Sequence, residues 1–215
     1  MKYEVVIFDL DGTLIDSMGV WEKIDSEFLG KRGFVATSDY SDAIKAKSFY
    51  DTAKYTIEQF SLSESVEELI NEWHEMALNE YSNNIKLKPF AKEYVDSLKR
   101  QGVKIVLATS CSKYLFEPVL INNGIYDYFD LLCTTEEVIT GKETPDLFLH
   151  VAKQMDVLPE RCLVFEDILI AIKSAKKAGM DVYGVYDEFS KGQWGEIKAL
   201  ADGVIYDFSR APMMK

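Results

Sequence analysis

The chain has 215 residues, 47% of them hydrophobic and 28% charged, enough to bury a sizeable core in one domain or in one domain with an insertion. A formal charge of −12 excludes broad electrostatic attraction to nucleic acid or to an anionic membrane, because phosphate surfaces reward clustered Lys and Arg. The sequence shows neither a basic leader ahead of an apolar stretch nor an apolar run of about 18 residues, so the expectation is a soluble, cytoplasmic protein.

Val5, Val6, Ile7 and Phe8 form an unbroken apolar run rich in β-branched and aromatic side chains, the pattern of a parallel central strand buried on both faces. Asp9 and Asp11 stand at its carboxyl end. Acids crowded there raise one another's energy unless a cation or hydrogen bonds compensate, which points to a metal site. Gly12 permits the turn that would let backbone N–H groups face a ligand at a strand's end.

Residues 18–83 then read as helical throughout. Val20, Trp21, Ile24, Phe28 and Leu29 recur at spacings of three and four, predicting a helix that Gly30 and Gly33 bring to a close. A second helix is expected over Asp39 to Ala46. The capping-box pattern Ser48-Phe49-Tyr50-Asp51 opens a third that runs to Phe60, and Ser65 with Glu68 starts a fourth that reaches Tyr81. Trp21, Phe28, Phe60 and Trp73 fall at core spacings in this bundle.

From Lys86 the pattern changes to alternating helices and strands. A helix follows Pro89 and ends at Gly102, and Val103 to Ala108 is a buried strand. A helix with Pro118 inside its span, which should kink it or mark its true start, ends at Asn123-Gly124. Leu131 to Thr134 is a short strand. Thr144-Pro145-Asp146 reads as N-cap, N1 and N2 of the next helix, and Leu163 to Phe165 is a strand. A helix closing at Gly179 and strands at Asp181–Val185 and Gly203–Tyr206 complete the series. Glycine-closed helices that each lead into a strand are the signature of right-handed crossovers in a parallel sheet. Cys111, Cys133 and Cys162 form no CxxC pair, and two lie in apolar runs, as expected of reduced core thiols. His74 and His150 each lie on a predicted helix with no Ser or Cys partner evident, and read as packing or surface residues.

Four short motifs carry the chemistry: Asp9-x-Asp11-Gly12-Thr13, Leu107-Ala108-Thr109-Ser110, Gly141-Lys142-Glu143-Thr144-Pro145-Asp146 and Val164-Phe165-Glu166-Asp167. In this order they resemble the motifs of the haloacid dehalogenase superfamily, in particular its helical-cap subfamily that includes β-phosphoglucomutase and many small-molecule phosphatases. The resemblance implies a Rossmann-like three-layer parallel sheet core, residues 1–16 and 86–215, with an inserted four-helix α-helical cap, residues 17–85. It implies that Asp9 is the nucleophile, that Asp11 is the general acid and then the base, and that Thr109 and Lys142 complete the catalytic set. Leu10, Asp11, Thr109, Ser110 and Lys142 would hold the phosphoryl group. Mg²⁺ would be held by Asp9, by the backbone carbonyl of Asp11, by Asp167, and by Glu166 directly or through water.

The fourth motif departs from its relatives, which usually continue Glu-Asp-Ser-x-x-Gly. Here Ile168 replaces the serine and Ala171 the glycine, leaving the ligands intact but changing the hydrogen bonding and helix approach behind the metal. Lys45, Lys47 and Ser48, just ahead of a helix N-terminus, are the cap candidates for meeting an anionic or hydroxylated substrate.

The expected activity is Mg²⁺-dependent hydrolysis of a small phosphorylated metabolite by a monomer or weak dimer, with no nucleic acid or membrane partner. A β-phosphoglucomutase-type mutase is the alternative; it would have to hold a second phosphate, usually with a cap arginine, and Arg32 is the only arginine between residues 18 and 83. A dehalogenase would not need Asp11. A non-enzymatic phosphoacceptor module of receiver type also pairs acids, Thr and Lys on a doubly wound sheet, but is about half this length, uses a middle strand and lacks a cap.

Overall fold

The computed structural model describes residues 2–44, 47, 49–138 and 141–214, the side chain of Asp42 excepted. They form two compact units, an α/β unit of residues 1–18 and 85–215 and a helical unit of residues 19–84. Among the described residues no helix is long and apolar enough to cross a membrane.

The α/β unit is built on one parallel sheet of strands β1 (Val5–Phe8), β2 (Lys104–Thr109), β3 (Leu131–Thr134), β4 (Cys162–Glu166), β5 (Asp181–Val185) and β6 (Gly203–Ile205). Their order is β3-β2-β1-β4-β5-β6, so β1 is central and every pair is parallel. Helices α5 (Ala91–Arg100), α6 (Lys113–Asn122), α7 (Asp146–Gln154), α8 (Leu169–Lys177) and α9 (Trp194–Leu200) connect the strands.

Alternation along β1 divides its side chains between two cores, as the pleat requires. Val5 and Ile7 face a cluster completed by Leu147, Phe148 and Val151 of α7, Ile172 and Ala175 of α8, and Ile197 of α9. Phe8 lies on the other face, stacked on Phe165 at 5.2 Å and edge-on to Tyr94 of α5 at 6.2 Å, with Phe208 closing the group. Such ring pairs add about 0.5–1.5 kcal/mol each beyond the area they bury. Helices on both faces make this the expected three-layer α/β sandwich.

Several local expectations are corrected. Helix α9 carries only two buried side chains, Trp194 and Ile197, too few to show a helical period in sequence. Pro118 sits inside α6, which begins at Lys113, so it does not mark the helix start, and its missing N–H removes the bond that the Tyr114 carbonyl would otherwise accept. The α7 helix begins one residue later than the sequence implies, with Pro145 as the cap and the Thr144 hydroxyl donating to Asp146 at 3.0 Å.

The helical unit contains α1 (Val20–Lys31), α2 (Ser38–Ile44), α3 (Phe49–Phe60) and α4 (Val66–Asn83). Gly30 lies within α1, and it is Gly33, at φ 80°, that turns the chain away. The Ser65–Glu68 capping box forms in both directions: Ser65 Oγ accepts from the Glu68 amide at 3.3 Å, and Glu68 Oε2 accepts from the Ser65 amide at 2.7 Å. The Ser48 box and the end of the second helix at Ala46 lie outside the described residues. Phe28 and Trp73 meet edge to face at 5.4 Å in the interior. Trp21, expected there too, is 37% exposed and leans edge-on against Phe49.

Candidate active site

Parallel strands end on a common edge, and register decides which ends are neighbours. Phe8 is opposite Leu107 of β2 and Phe165 of β4, so Asp9 leaves β1 between Ala108-Thr109 on one side and Glu166-Asp167 on the other. The Asp9 amide donates to the Phe165 carbonyl at 3.0 Å, continuing the ladder and holding the carboxylate at the strand tip.

Lys142 joins these ends. Its ammonium donates to Asp9 Oδ1 and, at 2.8 Å, to Glu166 Oε2. The other Glu166 oxygen accepts from the amides of Asp167 and Ile168 at 3.0 and 3.2 Å. The main chain thus does the orienting behind the acid. Asp167 Oδ1 accepts from the Thr13 hydroxyl at 3.0 Å, while Asp167 Oδ2 is buried with no hydrogen-bond partner.

Burial pushes the Asp167 carboxyl well above the usual carboxylate range, and the charges of Glu166 and Asp9 push it the same way. Glu166 moves upward for the same first reason, with Asp9 adding to the effect and Lys142 opposing it. For Lys142 burial acts toward loss of the proton, but the charges of Asp9 and Glu166 outweigh it and hold the ammonium above its ordinary value. A single ammonium against three carboxylates leaves negative charge uncompensated in a buried place. Oxygens of Asp9, Glu166 and Asp167 lie within 4.8 Å of one another. The unpartnered Asp167 oxygen beside this cluster fits a hard divalent cation with oxygen ligands.

Gly12 matters here through clearance. It sits at φ 79°, and a Cβ at this position would fall 2.5 Å from Asp167 Oδ2. Its amide does not face outward as the sequence suggests. The amides of Gly12, Thr13, Leu14 and Ile15 are used inside the turn, the first bonded to the Ile15 carbonyl and the others to the Leu10 carbonyl.

The remaining sequence candidates fall as follows. Asp11 is half-buried and its Oδ1 accepts from the Ser17 hydroxyl at 2.6 Å. Thr109 is buried at the end of β2, where its oxygen accepts from the Cys111 amide at 2.9 Å and its hydrogen stays available to donate. Ser110 is exposed and Leu10 is buried. Lys47, in the helical unit, is exposed and lies 5.2 Å over the Tyr55 ring. Lys45 and Ser48 lie outside the described residues. Thr13 and Ser17 acquire contacts with the acids that no sequence spacing assigned to them; their hydroxyls at the tip of the first motif were the only signal.

The histidines also differ from expectation in one respect. His74 stacks on Phe49 at 5.2 Å. His150, for which the sequence shows no cysteine partner, lies 3.7 Å from Glu137 and in a group with Cys133.

Comparisons with known proteins bear on the fold and the family. The family model described as haloacid dehalogenase-like hydrolase matches residues 6–185. The phosphorylated carbohydrates phosphatase of Thermotoga maritima is 28% identical over 191 residues, covering 88% of each chain. The fructose-1-phosphate phosphatase of Escherichia coli (strain K12) is 28% identical over 186 residues, 86% of this chain and 97% of its own. A solved Thermotoga maritima structure provisionally named a β-phosphoglucomutase superposes with a TM-score of 0.82 at 26% identity, over 94% of both chains. With a family match from β1 through β5, embracing all four clustered side chains, the chain belongs to the haloacid dehalogenase-like hydrolases.

Proposed function

We propose that the protein is a Mg²⁺-dependent phosphatase acting on a small phosphorylated metabolite of the sugar-phosphate class through an aspartyl-phosphate on Asp9. The observation that carries this reading is the Lys142 ammonium bridging Asp9 and Glu166 beside an unpartnered Asp167 oxygen. The activities for which the two phosphatase relatives are named supply the substrate class.

In this reading Asp9 attacks phosphorus and the bond to the leaving oxygen breaks, while Asp11 gives that oxygen its proton. Asp11 then takes a proton from water, the water oxygen attacks the aspartyl-phosphate, and inorganic phosphate leaves with Asp9 restored. The Ser17 hydroxyl holds the Asp11 carboxyl in place between the two half-reactions. Lys142 neutralises nucleophile and phosphate together, the Thr109 hydroxyl donates to a phosphoryl oxygen, and Leu10, Asp11 and Ser110 complete the phosphate cradle. Asp9, Asp167 and the Asp11 carbonyl would hold the cation. Glu166, whose oxygens already accept from Lys142 and two amides, would reach it through water. When bound, the cation supplies charge compensation for the transferring group.

The helical unit, roughly residues 17–85, is proposed as the substrate-selecting cap with Lys47 among its contacts, and the protein as a cytoplasmic monomer or weak dimer. A mutase would need a cation free to hold a second phosphate. Arg32 donates to Glu64, Glu72 and the Phe28 carbonyl, which favours hydrolysis.

Release of inorganic phosphate from an aryl phosphate and from sugar monophosphates, with and without Mg²⁺, tests the proposal. Turnover should require the metal and fall by roughly 10⁴-fold or more in Asp9→Asn. Unchanged release in that variant would overturn the reading. Supplying β-glucose 1-phosphate with its bisphosphate separates the mutase, which would return glucose 6-phosphate instead of free phosphate.

A further inference from the structure

Away from these residues, a second group of metal-ligating side chains converges on the flank of the α/β unit. Cys133 is the penultimate residue of β3, Glu137 ends the short 3-10 turn Thr135–Glu137, and His150 lies mid-way along α7. A sulfur, a carboxylate oxygen and an imidazole nitrogen from them all lie within 4.8 Å of one another. We propose that Cys133, Glu137 and His150 form a second cation site, suited to a borderline-soft divalent ion such as Zn²⁺, which ties β3 to α7.

The donor set carries the choice of ion. Thiolate with imidazole suits Zn²⁺ and its neighbours and is foreign to Mg²⁺, which takes oxygen. Glu137 is held in position from behind: its Oε1 accepts from the Thr134 amide at 2.9 Å, leaving Oε2 3.7 Å from His150 Nε2. In a tetrahedral zinc site, bond lengths of about 2.0–2.3 Å put neighbouring ligand atoms roughly 3.3–3.8 Å apart. The three donors need to draw in by about 1.5 Å at most, a movement within reach of an exposed Glu137 and a half-buried His150.

Entry is from the helix side. Cys133 forms the buried end, and a cavity of about 460 Å³ bounded by Val138, Asp146, Leu149, His150 and Lys153 opens beside the imidazole. Water from this cavity supplies the fourth ligand. On binding, the sulfur–hydrogen bond of Cys133 breaks, a sulfur–metal bond forms, and the proton passes to solvent. The consequence is positional: Glu137 and His150 flank the segment that contains Lys142, so the ion fixes both ends of the stretch that delivers the buried lysine.

Co²⁺ serves as the spectroscopic probe on the full chain after chelator treatment. The expected result is a thiolate-to-cobalt charge-transfer absorption in the near ultraviolet, displaced by Zn²⁺, lost in Cys133→Ser and kept in Cys162→Ser. The oxygen-only cluster of Asp9, Glu166 and Asp167 cannot produce that absorption. His150→Gln should weaken Co²⁺ binding by about 10-fold or more while leaving Mg²⁺-dependent turnover in metal-stripped protein unchanged. No charge-transfer band at saturating Co²⁺, or a band that survives Cys133→Ser, overturns the site. Should Cys133→Ser fail to fold, undiminished affinity in His150→Gln overturns it equally.

Discussion

In the α/β unit Lys142 bridges Asp9 and Glu166 with all three side chains at most 8% exposed, whereas in the helical unit Arg32 bridges Glu64 and Glu72 with side chains 18–31% exposed. Both are one cation between two acids. Arg32 also donates to the Phe28 carbonyl and lies 3.8 Å over the Phe28 ring, so its planar donor fork is committed and its partners still reach water. Around Lys142 a third acid is packed in, and one of its oxygens has no partner. The comparison teaches that an ion pair becomes a candidate for chemistry when burial leaves charge over, and a strut when solvent and geometry absorb it.

After Asp9, the chemical half of that contrast is tested most sharply at Asp11. Asp11→Asn removes the proposed proton carrier and should lower turnover by about 10²–10⁴-fold, read in single-turnover phosphate release with Mg²⁺ saturating. A variant as active as the parent would mean that proton transfer does not pass through this side chain.

Arg32→Ala tests the other half. It unties the end of α1 from α4, so the melting temperature should fall, by an amount equivalent to about 1–2 kcal/mol, while turnover stays as it was. A collapse of activity with the fold intact would move Arg32 from strut to site.

The smallest expected effect lies nearby on α1, where burial, with the charge of Glu22 adding to it, pushes the Asp25 carboxyl from its ordinary 3.8 up to about 6. A raised carboxyl binds its proton more tightly folded than unfolded, so stability falls as pH rises between those two values. Asp25→Asn should therefore be silent at low pH and stabilising above about pH 6, by about 1 kcal/mol once partial solvent exposure is discounted. Melting curves across that range check the sign, and a benefit confined to acid pH would contradict the assignment.

Much of this architecture was legible in the sequence because its signals are local. Unbroken apolar runs marked β1, β2 and β4, and Ser65 with Glu68 marked the start of α4, since a capping box is written within four residues. Helix α9 was not legible, its two buried positions being too few for a period. The motif positions brought Asp9, Lys142, Glu166 and Asp167 under suspicion, but the bond from the Thr13 hydroxyl to Asp167 spans 154 residues and could only appear once β1 and β4 were paired. The meeting of His150 with Cys133 was hidden for the same reason: one is on a helix, the other on an edge strand, and nothing in either segment announces its neighbour.

The central place of β1 in the sheet has a consequence for how the chain is made. Residues 5–8 leave the ribosome well ahead of their partners at 104–107 and 162–165. The whole helical unit, complete at residue 84, precedes both. The nascent chain thus carries an apolar strand with both edges unpaired until β2 emerges and one edge unpaired until β4 does, an exposed state of the kind that chaperones cover, and the α/β unit closes only when its fourth strand has emerged.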